Sequence, residues 1–217
     1  MGKKVKKRRH RTVDARHEGA GSESVSRSAE GTLTVDVPVI KRFGAYAVDW
    51  ALGGIVTGAP AVLLYAAVTR RTDFYSDLYV FEALGYPMWW GMLTGVLCIL
   101  AGLFYYVYVP AKVLPGQTLG KRLFGLEIRR LDGSLPTLGN LFVRYGLVGF
   151  LAEGSAFVAG RFVRELVTLI VRIDVATPWS IACLAITTVS ALFALYRPKH
   201  RALHDAIAGT HVLMSRN

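Results

Sequence analysis

Long uncharged stretches constrain this chain more than any other feature. Residues 44–69 form a run of 26 whose only charge is Asp49, closed by Arg70 and Arg71. At a rise of about 1.5 Å per residue, such a helix is long enough for a bilayer core of about 30 Å. Residues 88–111 add 24 uncharged positions, with Trp89 and Trp90 at one end and Tyr105, Tyr106 and Tyr108 at the other. Those aromatics are expected to form two interfacial belts. Residues 181–196 make a further apolar run, led in by Thr177, Pro178 and Trp179 as cap, first-turn proline and belt residue. With 53% apolar residues and a mean hydropathy of +0.37, the composition is too apolar for an ordinary soluble enzyme. The two cysteines, Cys98 and Cys183, both sit in apolar runs and cannot supply a disulfide framework or a zinc cluster.

Residues 141–172 read as two helical pieces. Residues 145–160 are apolar except for Glu153. In the second piece Arg161, Arg164, Glu165, Thr168 and Arg172 recur at spacings of three and four, while Phe162, Val163, Leu166, Val167, Leu169, Ile170 and Ile173 fill the rest. The expectation is a short third span over about 142–160, followed by a helix lying in the membrane surface. Charge gives the orientation. Of 26 Lys and Arg, 11 lie up to Arg42, 6 between 112 and 144, and 4 from Arg197 onward. The positive-inside rule then places both termini and the middle loop in the cytoplasm, which requires four spans, about 44–69, 88–111, 142–160 and 177–196. A three-span arrangement with 141–172 wholly on the surface is the competing topology. Residues 1–37, basic at first and then rich in Gly, Ser and Glu, are expected to form a disordered cytoplasmic tail ahead of a membrane domain over 38–217. No cleavage pattern follows the basic cluster promptly, so the tail is expected to be retained. The fold class is an all-α integral membrane protein: a four-helix transmembrane bundle with short amphipathic helices and a small cytoplasmic strand pair.

Few polar groups carry chemical meaning. Asp49 lies seven residues beyond Arg42, nearly on the same helix face and about 10 Å along it. A carboxylate in hydrocarbon costs at least about 2.5–3.5 kcal/mol, so Asp49 should face the interior, either as a packing pair or as a working group. Glu153 is a second candidate intramembrane acid. In the middle loop, 116–121 looks like a phosphate loop, but the spacing is one residue short and Arg122 replaces the hydroxyl residue that holds magnesium. A turn, a short helix through Lys121 and Arg122, and a strand with Leu126 and Ile128 on one side and Glu127 and Arg129 on the other describe it better. Lys121, Arg122, Arg129 and Arg130 are expected to contact anionic lipid head groups. His200 and His204 stand one helical turn apart with no third ligand of suitable spacing, so surface histidines rather than a metal site are expected. No cofactor, metal, catalytic group or nucleic-acid partner is anticipated.

Three segments, RFGAYAVDW, GQTLGKRLFGLEIRRLDGSLPTLG and HRALHDAIAGTHVL, together resemble the RDD family of bacterial and archaeal membrane proteins, named for one arginine and two aspartates. The resemblance covers about 40–213 and implies that Arg42, Asp49 and Asp205 are its motif residues. It also implies a bacterial or archaeal cell membrane location, and transport of an ion or small ligand as the usual functional suggestion. On that basis the expected function is transport using Asp49, tuned by Arg42. The alternative is a non-transporting adaptor that binds anionic lipid or a partner complex. A narrow bundle would work as a homo-oligomer or with a membrane-protein partner. Arg42 and Asp205 are expected to meet at the cytoplasmic mouth of the first span, with pairing of Asp205 to Arg201 as the local alternative.

Overall fold

The computed structural model describes residues 37–154, 157–196 and 202–215, except for the side chains of 194–196. The expected tail up to residue 36 lies outside the described residues, as do Pro198, His200 and Arg201. In chain order the elements are α1 (Val39–Thr69), α2 (Val80–Ala83), α3 (Trp89–Leu103, prolonged by wide π-type turns over Phe104–Val113) and α4 (Leu119–Leu123). There follow β1 (Leu126–Arg130), α5 (Leu138–Leu141, prolonged by π-type turns over Phe142–Ala152), α6 (Val158–Val171), α7 (Ala176–Tyr196), α8 (Leu203–Ile207) and β2 (Thr210–Met214). Among the described residues, three helices are long and apolar enough to cross a membrane: α1, prolonged α3 and α7.

The buried positions of α1 are Ala45, Asp49, Gly53, Thr57, Ala61, Tyr65 and Thr69, one at every fourth residue. Most are small, which lets α3 approach closely, as helices do in membranes where no hydrophobic effect drives them together. The opposite face, including Ile55 and Leu63, is exposed and apolar, as a lipid-facing surface must be. α1 is also longer than it needs to be. Its 31 residues extend about 46 Å, well beyond the roughly 30 Å hydrocarbon core. Counting about 20 residues back from Thr69 ends near Trp50, so the first ten residues and Asp49 fall at one edge of the apolar zone.

At that edge β1 and β2 pair antiparallel, with Ile128 opposite Val212 and Arg130 opposite Thr210. Leu126, Ile128 and Val212 turn into the core. Glu127 does not point outward as the alternation suggested. It is buried and accepts from Arg129 Nε at 2.9 Å.

The segment expected as a third span and a surface helix is built differently. α5 starts on a reciprocal cap between Thr137 and Asn140, and Asn140 Nδ2 donates to the Ala208 carbonyl near β2. It stops at Ala152. α6 then continues with Ala159, Phe162, Arg164, Glu165 and Leu169 buried, packing chiefly on α3. Gly102 of α3 makes room for it, since a Cβ there would fall 2.9 Å from the Ala159 Cβ. At its far end Arg172 pairs with Glu82 of α2, in the connection that joins α1 and α3. α5 and α6 therefore form one broken passage from the paired-strand end to the opposite end, and α6 is an inner helix rather than a surface one. Its charged residues gave a surface pattern by spacing, yet Glu165 accepts from the Leu78 backbone N–H at 3.2 Å and Arg161 donates to the Ser76 carbonyl. The incoming loop supplies the polar partners that solvent was expected to provide.

Candidate functional site

The every-fourth stripe on α1 carries Asp49 inward, 3% exposed, against the end of α3 and the first turn of α4. Its Oδ1 accepts from Tyr105 OH at 3.0 Å and from the Gly120 backbone N–H at 2.8 Å. Its Oδ2 accepts from Thr118 Oγ1 and from Lys121 Nζ, the latter at 3.1 Å. The Asp49 carbonyl accepts from Tyr106 OH at 2.8 Å. The GQTLGKR segment therefore encodes a receptor for this carboxylate: Thr118 supplies a hydroxyl, Gly120 a bare backbone N–H and Lys121 the counter-charge. Gly120 is required by space, because a Cβ there would fall 2.8 Å from Asp49 Cγ and would also collide with the Ala45 carbonyl. Burial pushes the Lys121 ammonium down, but Tyr145 and Asp49 outweigh it and leave it above its ordinary range.

A second ion pair lies next to the first. Arg144, 2% exposed on α5, pairs through Nη1 with Asp205 Oδ1 and donates to Thr210 Oγ1 at 2.7 Å. Tyr145 stands between the two pairs, its ring centroid 5.8 Å from Lys121 Nζ and 5.2 Å from Arg144 Cζ. Burial pushes the Asp205 carboxyl up, but the charges of Arg144, His204 and Arg42 prevail and hold it below the usual carboxylate range. Arg42 donates through Nη2 to the Val212 carbonyl of β2 at 3.2 Å. Asp49 pairs with Lys121, and Asp205 pairs with Arg144, a residue the sequence reading did not single out, while the charge of Arg42, expected to meet Asp205, also acts on it. The local partner considered for Asp205, Arg201, lies outside the described residues.

Glu153 closes the group. Buried at the end of α5, it accepts from Ser190 of α7, and its Oε2 lies 2.7 Å from His204 Nδ1. The other ring nitrogen of His204 is 3.7 Å from Asp205 Oδ2. One imidazole is thus placed between two buried carboxylates, so His204 is not the solvated surface histidine expected. Among the described residues, no group of three or more His, Cys, Asp and Glu is arranged to hold a metal ion.

Several expected roles change with this geometry. Lys121 is committed to Asp49 and is not free to meet lipid head groups. Arg129 is chelated by Glu127 and Arg130 lies 3.4 Å from Asp132, while Arg122 is exposed. Tyr105 and Tyr106 are not belt residues. Both are 3% exposed and both bond to Asp49, and only Tyr108 of that trio faces outward. The signal for these roles was faint. Every fourth residue of α1 is an interior position, and the Thr-Leu-Gly-Lys of α4 offers three donors within four residues.

Compared with known proteins, the chain matches the RDD family over residues 37–209. No curated protein matches it, and no solved structure does.

Proposed function

Because the chain belongs to the RDD family, we propose that it is a multi-pass cell-membrane protein that moves an ion or small charged ligand, with the buried acid–base network handling protons. The observation that carries this reading is His204, held between Glu153 and Asp205, both 3% exposed. Imidazole is the side chain suited to proton exchange near neutral pH, and buried carboxylates are costly enough in a membrane to suggest work. From Glu153 the network runs through His204, Asp205, Arg144, the Tyr145 ring and Lys121 to Asp49, linking α1, α3, α4, α5, α7 and α8. Through Asp205, His204 adjoins the Arg144 ion pair that faces β2. In this reading the excess of Lys and Arg at the paired-strand end places that end, with both termini, in the cytoplasm. The protein then acts as a homo-oligomer or with a membrane-protein partner, and not as an enzyme.

Proteoliposomes carrying a trapped pH dye test this. His204→Gln and Glu153→Gln should each lower ion-driven proton flux about a hundredfold or more while the protein stays folded, the scale of losing one positioned proton-transfer group. Wild-type flux in both folded variants would remove the network from the mechanism. A second reading rests on Asp49, whose carboxylate oxygens are occupied by four donors, so that no cargo ion binds there without displacing one. That favours a non-transporting adaptor in which the motif is architecture. A stoichiometric partner on purification, with no flux from the protein alone, would support it.

A further inference from the structure

A lateral crevice of about 490 Å³ runs between α1, α6 and α7, lined by Trp50, Phe157, Arg161, Arg164, Glu165 and Ser180 among others. Its polar wall is not neutral. The Glu165 carboxylate is taken by Arg161 and by the Leu78 N–H, and among the described residues no carboxylate pairs with Arg164. Arg164 is only 7% exposed, and its Nη1 is fully buried with no hydrogen-bond partner among the described residues. Its guanidinium lies against Gly154, where a Cβ would fall 2.6 Å from Nη1. A cation this buried beside an apolar trough is expensive, so the part of the Arg164 guanidinium that lines the crevice calls for an anion.

What adjoins the crevice indicates which kind of anion. Through the shared Trp50 and Val158 it continues into an apolar trough of about 600 Å³ along the outer face of α1, floored by Ala51, Gly54, Gly58 and Ala59. The flanks Ile55, Val62 and Leu63 are exposed, on the side that lipid must cover. A small inorganic anion would satisfy Arg164 and leave the trough unused, whereas an uncharged chain would fill the trough and leave Arg164 unpaired. We infer that this is a binding site for one anionic lipid, its acid group paired with Arg164 and an acyl chain lying along α1 over Gly58. The site is separate from the acid–base network and does not depend on the transport reading.

Fluorescence quenching of Trp50 tests it, in protein whose other tryptophans are replaced (Trp89→Phe, Trp90→Phe, Trp179→Phe). The protein is placed in nanodiscs doped with chain-brominated phosphatidylglycerol or chain-brominated phosphatidylcholine. The anionic lipid should reach half-maximal quenching at about tenfold lower mole fraction, the worth of one buried charge-assisted contact. Arg164→Gln should abolish that preference, whereas Arg122→Gln, which removes an exposed cation elsewhere, should retain it. Gly58→Leu needs no refolding, because nothing lies within 4 Å of a Cβ at that position. It should weaken quenching by the anionic lipid even if Arg164→Gln fails to fold. Equal quenching by the two lipids, a preference that survives Arg164→Gln, or unchanged quenching in Gly58→Leu would overturn the proposal. Loss of the preference in millimolar inorganic phosphate would also overturn it, by showing a small-anion site instead.

Discussion

The two aspartates of the motif owe their stability to different neighbours, and single substitutions should tell them apart. Asp205→Asn leaves the buried Arg144 charge without its partner, a change that costs about 3–5 kcal/mol when an ion pair of this kind is broken from one side. Replacing both residues with apolar ones, Arg144→Met with Asp205→Leu, should recover most of that loss, read as the midpoint of thermal unfolding in detergent. Gly120→Ala acts by space alone. Its methyl group meets Asp49 Cγ and the Ala45 carbonyl, so about 1–3 kcal/mol should be lost with no change of charge. The pH dependence follows from the directions of the shifts. Asp205 is lowered in the folded chain, so its contribution is present above the ordinary aspartate value of about 3.9 and disappears as pH falls through its folded value. Lys121 is raised, so its contribution is present below the ordinary lysine value of about 10.4 and disappears as pH rises through its folded value. These two groups should therefore make a stability profile fall at its acid and alkaline ends. A fall of the alkaline arm that persists unchanged in Lys121→Met would assign it to another group.

At the scale of elements, α1 and α6 both end on an arginine in the left-handed region, Arg70 at φ 59° and Arg172 at φ 61°. Each N–H still closes its helix, Arg70 onto the Ala66 carbonyl at 3.0 Å and Arg172 onto Thr168 at 2.9 Å. A residue with a Cβ pays about 1 kcal/mol for that conformation. Arg70→Gly should therefore raise thermal stability by up to about that amount, offset in part by the extra freedom of glycine in the unfolded chain. Arg172→Gly should show no such gain, because it also gives up the pair with Glu82. An equal gain at both sites would mean that the Glu82 pair contributes nothing. The π-type turns of α3 and α5 lie where the polar network is assembled. The wider turns, seen in the Leu114 N–H bonding back to the Val109 carbonyl, change which residues share a face. That is how Tyr105 and Tyr106, adjacent in sequence, both reach the same residue of α1.

For the whole molecule, the decisive matter is how the chain returns between α3 and α7. α5 makes its contacts at the strand-pair end and α6 at the opposite end, so the test of topology is whether the two ends of the α5–α6 passage lie on opposite faces. Cysteine labelling tests this in sealed, oriented vesicles, with Cys98→Ser and Cys183→Ser removing the buried thiols. Leu123→Cys and Ile173→Cys sit at exposed positions, 72% and 69% accessible, and an impermeant maleimide should reach them from opposite faces. Labelling of both from one face would mean that α5 and α6 together do not cross.

The three long helices were legible because lipid imposes a uniform demand along the chain: every outward residue must be apolar over the full thickness, and composition alone records that. The inward placement of Asp49 was legible for a related reason, since a carboxylate has nowhere else to go. What surrounds it was not legible, because its partners lie 56 to 72 residues away, on elements whose relative rotation no local pattern encodes. Tyr105 looked like an interface residue, Lys121 like a head-group contact, Arg144 like one more loop cation and Arg164 like part of a solvated face. Each has the same composition and spacing in either role. Only the packing of α3, α4 and α5 about α1, and of α6 against α3, decided which of the described charges met an opposite charge and left Arg164 without one among them.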